Sequence, residues 1–242
     1  MIYILLPAFN EEKSLSKLFD KFIALLANSQ QDYRIILVND GSSDRTQEIA
    51  EQYKSKLPLE IIKHPENRGL GEAIKTGLKS AASQAQDNDI LVNLDADNTH
   101  DPNVIPRLVE KIKEGSDIVI ASRYQPGSKQ VGVPFFRRVC SWGARFVFRF
   151  YLPIKSVKDY TCGYRAYRAG LIKRGFNEYG DSLIEAKGFA CTDELLIKLS
   201  KYTTKIAEVP FILRYDLKAS PSKINIPKTV LATLKLLWKT KK

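Results

Sequence analysis

The chain has 242 residues, 44% of them hydrophobic, with 38 Lys or Arg against 27 Asp or Glu and a net charge of +11. That length suits one α/β domain with a sizeable core, and the composition excludes a disordered or collagen-like chain. No apolar run approaches the roughly 18 residues of a membrane span, and Met1–Leu6 reads as a first strand rather than a signal peptide.

In chain order, apolar and β-branched runs at Ile2–Leu6, Arg34–Asn39, Leu59–Lys63, Asp89–Leu94 and Asp117–Ala121 read as strands. Helical spacing marks Glu12–Ala27, Asp44–Lys54, Leu70–Ala82 and Pro102–Lys113; Leu15, Leu18, Phe19, Phe22, Leu25 and Leu26 make the apolar stripe of the first. Strand–helix alternation of this kind predicts a parallel sheet wrapped by helices, with ligands at the carboxyl ends of the strands. An aromatic, basic helix is expected at Phe135–Tyr151, with Arg138, Arg145 and Arg149 on one stripe and Val139, Phe146 and Phe150 on another. A last helix is expected to carry Lys228, Lys235, Lys239 and Lys242 opposite Val230, Leu231, Leu234, Leu237 and Trp238. The chain is expected to divide into one main domain, 1–225, and a basic amphipathic helix, 226–242.

The strand ends carry the chemistry. They are Pro7-Ala8-Phe9-Asn10-Glu11, Asn39-Asp40-Gly41-Ser42-Ser43-Asp44, Asn67-Arg68-Gly69-Leu70-Gly71, Asp95-Ala96-Asp97 and Ser122-Arg123-Tyr124. Two carboxylates after an apolar strand can hold Mg²⁺ or Mn²⁺ through hard oxygen ligands, although Asp-x-Asp is also ordinary loop chemistry. Asp101-Pro102 supplies a cap for the following helix, which leaves Asp95 and Asp97 without that duty. Asp40 could accept hydrogen bonds from a nucleobase or ribose, or merely belong to a turn. Gly69-Leu70-Gly71 lets a backbone approach phosphate at a helix start, but it is not the dinucleotide fingerprint. His100 follows the acidic motif and could support it from behind, although a surface-loop residue is the commoner reading. Cys140, Cys162 and Cys191 are scattered, which argues against zinc and for a reducing compartment.

This ordered set resembles the family-2 glycosyltransferases, whose GT-A fold is a Rossmann-like, mostly parallel α/β sheet flanked by helices. Asp159-Tyr160-Thr161-Cys162-Gly163-Tyr164-Arg165-Ala166 is similar to a stretch of the polyprenyl-phosphate sugar synthases of the dolichyl-phosphate mannosyltransferase type. Tyr160 and Cys162 stand where that group has Pro and Ser, and Thr192-Asp193-Glu194 where it has a Gln-Met-Glu-like run. The resemblance implies an inverting hexosyltransferase using a GDP- or UDP-sugar, with GDP-mannose first. Pro7, Phe9 and Glu11 would line the nucleoside, with Asp40 on the base. Asp95, Ala96 and Asp97 would meet the diphosphate, with Asp95, Asp97 and Thr99 on the metal. Arg123 and Arg137 would contact the acceptor phosphate, and Arg214 and Lys223 would close over the donor. Asp97 would be the principal metal ligand.

The positive charge is segregated. No Asp or Glu occurs in 118–158, which holds eight Lys or Arg, or in 217–242, which holds seven Lys; the rest of the chain is mildly acidic. Such blocks suit an anionic partner. Basic helices bearing Trp, Phe and Leu suit a membrane interface, so the expected setting is cytoplasmic and peripheral at an anionic membrane, with a lipid phosphate acceptor. The chain would bind there directly or through a membrane-spanning partner protein. A saccharide hydroxyl is the alternative acceptor; it would need a general base, for which Asp193 and Glu194 are the candidates. No helix-turn-helix, RNP or zinc-finger signature supports nucleic acid as the partner.

Overall fold

A computed structural model describes residues 1–152, 154, 156–219, 229, 231–233, 235, 236 and 238. Strands β1 (Ile2–Ala8), β2 (Tyr33–Asn39), β3 (Leu59–Lys63), β4 (Ile90–Asn93) and β5 (Ile118–Ser122) fall where the apolar runs predict them. Helices α1 (Glu12–Ala27), α2 (Thr46–Tyr53), α3 (Leu70–Gln84) and α4 (Ile105–Lys113) alternate with them. Every residue of β1, β4 and β5 is buried, as expected of strands covered by helices on both faces. Leu15, Leu18, Phe19 and Phe22 of α1 join that core. Asp101 caps the 3₁₀ turn Pro102–Val104 by accepting from the Asn103 backbone N–H.

The second half departs from simple alternation. It contains β6 (Lys129–Val131), α5 (Phe135–Tyr151), β7 (Arg165–Arg168), α6 (Ala169–Tyr179), α7 (Ala190–Leu199), β8 (Ile206–Pro210) and β9 (Ile212–Arg214). The main sheet runs β3-β2-β1-β4-β7-β5-β8. Only β7 is antiparallel to its neighbours, pairing Asn93 with Arg165 on one side and Ile120 with Arg165 on the other. Strands β6 and β9 form a separate parallel pair. The sheet is therefore mostly parallel and flanked by helices, the arrangement expected of a GT-A fold.

Helix α5 is not an ordinary surface helix. Phe148 is its buried residue and stacks on Tyr160 with ring centroids 5.1 Å apart. Phe135, Phe136, Val139, Trp142, Phe146 and Phe150 are all exposed. Arg138 and Arg149 are exposed beside them, while Arg145 lies over the Tyr124 ring at 4.8 Å. Lys223 and much of the 226–242 segment lie outside the described residues. Of that segment's described residues, Leu231 and Trp238 are exposed and Thr233 is buried. No helix among the described residues is long and apolar enough to cross a membrane.

Close packing positions the loops around the strand ends. A Cβ on Gly71 would lie 1.9 Å from the Ala186 carbonyl oxygen, and the Gly71 N–H donates to the Lys187 carbonyl at 3.1 Å. This contact seats the segment before α7 against the start of α3. Gly71→Ala is expected to lower the unfolding free energy by about 2 kcal/mol or more, because a clash with backbone cannot relax by a side-chain rotation. Gly143→Ala, where an added Cβ meets nothing within 4 Å, should instead be neutral or stabilise by up to about 1 kcal/mol through helix propensity. Urea midpoints of the two variants check both expectations.

Candidate active site

The ends of β1 and β2 are laced together before any ligand is considered. The Asn10 N–H donates to Ser42 Oγ at 3.0 Å, and Asn10 Oδ1 accepts from the Ser43 N–H at 2.9 Å. The Glu11 N–H donates to Thr46 Oγ1 at 2.8 Å. Pro7 and Glu11 are buried beside this lacing, and Phe9 is half-buried. The loop between Phe9 and α1 is thus a fixed wall at the sheet edge.

Asp40 is the centre of a second fixed loop. Its Oδ1 accepts from the Arg68 N–H at 2.9 Å and lies 2.7 Å from His64 Nδ1, while its Oδ2 accepts from the Gly69 N–H at 2.8 Å. His64 is buried and its Nε2 sits 3.0 Å from Thr76 Oγ1 on α3. Asp40 therefore organises backbone at the start of α3, a use the sequence reading missed. Gly41 adopts φ +67°, and a Cβ there would lie 2.3 Å from the Glu66 carbonyl carbon, so no side chain fits between the two loops.

The acidic pair lies at the end of β4. Asn98 has φ +64°, which turns the chain back so that Asp97 Oδ1 accepts from the Thr99 N–H at 3.1 Å and from Thr99 Oγ1 at 2.7 Å. Asp97 Oδ2 forms an ion pair with Lys218. Burial alone would raise the Asp97 pKa, but Lys218 and His100 overcome it and hold it below the usual range. The Asp95 pKa is raised, first by loss of hydration among its neighbours and then, against the pull of His100, by the Asp97 charge; its side chain is still a third exposed. Ala96 is buried between the two acids.

His100 is buried rather than at the surface, which corrects the sequence reading. It packs between Tyr164 and Phe211 at 5.1 and 5.7 Å. Its Nδ1 accepts from the Asp95 N–H at 3.2 Å, so in the neutral ring Nε2 carries the proton and faces the Asp95 carboxylate at 4.0 Å. The ring keeps Asp95 aimed outward.

Arg123 is engaged differently from the phosphate contact expected of it. Its Nε and Nη2 donate to Asp159 at 2.8 and 2.6 Å, its backbone N–H donates to the same carboxylate at 2.9 Å, and Nη2 also reaches Thr161. Asp159 has no exposed side-chain surface. Burial opposes its ionisation, yet Arg123 outweighs burial and the Asp159 pKa is lowered. Arg137 lies over the Tyr215 ring at 5.5 Å. Arg214 pairs with Asp216, and its backbone N–H donates to the Thr99 carbonyl at 3.1 Å. That bond ties β9 to the acidic loop.

Asp193 closes the first turn of α7 and Glu194 follows it; both are buried but differ in kind. Glu194 Oε2 accepts from the Glu185 and Ala186 N–H groups at 2.9 Å, and Oε1 from Lys198 at 2.6 Å. With both oxygens so engaged, Glu194 fixes the segment before α7, and its surroundings do not fit the proton-acceptor role read from the sequence. Asp193 Oδ2 accepts from Thr233 Oγ1 at 3.2 Å, and Oδ1 has no hydrogen-bond partner among the described residues. Burial pushes its pKa up to about 7, against the pull of Arg165. The folded chain thus holds a proton that the unfolded chain releases near 4, and ionising Asp193 lowers stability as pH climbs toward about 7.

The donor set suits a hard divalent cation: two carboxylates and a hydroxyl oxygen, one carboxylate already drawing an ammonium. No third His, Cys, Asp or Glu joins Asp95 and Asp97 in a metal-binding group among the described residues. The remaining ligands would come from phosphate oxygens and water, as is usual for Mg²⁺.

Comparison with known proteins matches residues 3–176 to the family Glycosyl transferase family 2. The chain is 39% identical over 211 residues to a dolichol-phosphate mannosyltransferase of Pyrococcus furiosus, spanning 87% of this chain but only 55% of that relative. It is 30% identical to an undecaprenyl-phosphate mannosyltransferase of Micrococcus luteus, over 86% of this chain and 82% of that one. Glucosyl-3-phosphoglycerate synthase from Mycobacterium tuberculosis, solved with Mn²⁺, UDP and glucosyl-3-phosphoglycerate, shares the fold with a TM-score of 0.71 at 23% identity, over 99% of this chain and 79% of that one.

Asp159→Ala is expected to cost about 3–5 kcal/mol, because it strands a buried guanidinium. The folded pKa of Asp159 lies below its unfolded value near 3.9, so its contribution is complete at neutral pH and is lost as pH falls from about 4 through the folded value. Urea unfolding of both proteins at pH 7 and near pH 3 measures the gap and its narrowing.

Proposed function

The chain belongs to glycosyl transferase family 2, and on that premise we propose that it transfers a hexose from a nucleotide-sugar to a polyprenyl phosphate at a membrane surface. The observation that carries this reading is α5, a helix of exposed aromatic residues and arginines on the β5 side of the site. A soluble acceptor would give no reason to place Phe135, Phe136, Trp142 and Phe146 in water. The names of the Pyrococcus and Micrococcus relatives support mannose as the sugar and a polyprenyl phosphate as the acceptor.

In this reading the lacing of Asn10 to Ser42 and Ser43 holds Pro7, Phe9 and Glu11 as the nucleoside wall. Asp40 meets the base from the loop it organises. Asp95 and Asp97 hold Mg²⁺ or Mn²⁺, with Thr99 orienting Asp97, and the bound ion would supply Lewis-acid stabilisation of the departing diphosphate. Arg214 stands over the acidic loop from β9. Arg123 is taken up by Asp159, so Arg137, over the Tyr215 ring, is the cation left for an acceptor phosphate. An acceptor phosphate oxygen attacks the anomeric carbon in line, the bond to the β-phosphate oxygen breaks, and its electron pair leaves with the nucleoside diphosphate. The configuration inverts. No proton need be removed from an ionised phosphate.

A second reading is favoured by one observation, the buried Asp193 with its pKa near 7. A carboxylate so tuned suits a general base for a sugar hydroxyl. The two readings separate on Asp193→Asn. Transfer to polyprenyl phosphate should survive it, whereas transfer to a hydroxyl should fall about 100-fold or more and, in the unaltered protein, rise with pH up to about 7.

The direct test supplies GDP- and UDP-sugars, Mn²⁺ and polyprenyl phosphate in detergent. A lipid-linked sugar product is expected; donor binding without it would overturn the acceptor assignment. Asp97→Ala should remove transfer by about 100-fold or more while leaving the circular dichroism spectrum intact. Replacing Arg138 or Arg149 by Ser should weaken binding to phosphatidylserine vesicles about fivefold each, corresponding to about 1 kcal/mol per arginine near an anionic surface. Unaltered sedimentation with the vesicles would remove the membrane role of α5.

A further inference from the structure

We propose that Lys218 is a built-in counter-cation for the acidic pair, seated on Asp97 when no divalent ion is bound and displaced when one enters. The inference rests on the reading of Asp97 as a metal ligand. It starts from the two oxygens of that carboxylate. Oδ1 already accepts from the Thr99 N–H and hydroxyl, so Oδ2 is the oxygen left to meet a cation, and Lys218 holds it. Both side chains are largely enclosed, 14% exposed for Lys218 and 11% for Asp97. Asp95 and Glu11 also act on the same ammonium. A divalent ion on Oδ2 would bring two like charges into contact in an enclosed cleft, where screening by water is weak. The ammonium and the metal are therefore alternatives.

The lysine is mounted to make that exchange. Strand β9 is anchored through the Arg214 N–H to the Thr99 carbonyl, and the 3₁₀ turn Tyr215–Leu217 follows it. Gly132, at φ +74°, packs against the backbone of Asp216, where a Cβ would lie 2.7 Å from the Asp216 nitrogen. The Lys218 N–H closes the turn on the Tyr215 carbonyl at 3.2 Å. The backbone of the arm is thus held as far as Lys218, and the lysine can leave Asp97 by rotation of its side chain. Without the lysine, the acidic pair would face the cleft with its repulsion uncompensated and would take up a divalent ion more tightly. With it, the metal is admitted preferentially with the diphosphate, which supplies both extra ligands and a new partner for the displaced ammonium.

Mn²⁺ binding to the nucleotide-free full chain, followed by the electron paramagnetic resonance of free Mn²⁺, tests this without any turnover. Lys218→Met should bind Mn²⁺ about tenfold tighter or more, and Lys218→Arg should stay near the unaltered protein. Lys21→Met is the control for general charge, since Lys21 donates to the neighbouring Asn98 at 2.7 Å but not to the acids; it should change affinity less than about threefold. Unchanged affinity in Lys218→Met, or an equal gain in Lys21→Met, overturns the inference. Asp97→Asn in the protein loaded with GDP or UDP separates the two readings. If it abolishes Mn²⁺ binding there while Lys218→Met does nothing to the free protein, the metal site stands and the counter-cation alone falls. If it changes nothing, both fall.

Discussion

The buried carboxylate of Asp159 is the interaction on which the second half of the chain depends. It is enclosed completely and takes four donors: the Arg123 backbone, two guanidinium nitrogens that grip it side-on, and through Oδ1 also the Cys162 N–H, while the Lys158 and Asp159 N–H groups are held by Glu208. These bonds pin the end of β5 to the segment that leads into β7. That segment then enters the sheet between β4 and β5, running against both. Arg165, fully buried, reaches the carbonyls of Tyr160 and Thr192 from there, so the strand also fixes the approach to Asp193. A buried ion pair contributes little net stability; here it sets where three separate pieces of chain must meet.

Around that pin, the cleft is made from loops that satisfy one another rather than from isolated reactive groups. Asp40 holds two backbone amides, Glu194 two more, and Asp97 one amide and one hydroxyl. Each of these carboxylates would cost energy to bury if left alone. Bound to amides, they make the loops rigid before a ligand arrives, which is the condition for electrostatic stabilisation of a leaving group at low reorganisation cost.

The first half of the fold was legible because its signals are local. Buried parallel strands read as apolar runs, and α1 repeats its leucines and phenylalanines at helical spacing. Strand β7 was not legible: Arg-Ala-Tyr-Arg is short and begins and ends in a charge, and its place depends on Asp159, 36 residues from Arg123 along the chain. Strands β6 and β9 are three residues each and exist through their pairing. At the site, the motif residues do cluster at one edge, but their partners could not be read. Lys218 lies 121 residues from Asp97, and nothing in its surroundings along the sequence marks it. His100 looked like a loop residue because its two ring neighbours, Tyr164 and Phe211, come from distant segments. Glu194 looked reactive because the backbone amides it holds carry no sequence signature.

The outward aromatic face of α5 also bears on how the protein behaves in aqueous solution. In plain buffer, Phe135, Phe136, Trp142 and Phe146 lie open to water, and two copies can lower their exposed apolar area by placing these faces together. Arginines along the same helix oppose such pairing at low salt and oppose it less as counter-ions screen them. Colloidal behaviour should therefore worsen with added salt and improve with mild detergent, the reverse of what a basic protein contaminated by nucleic acid would do.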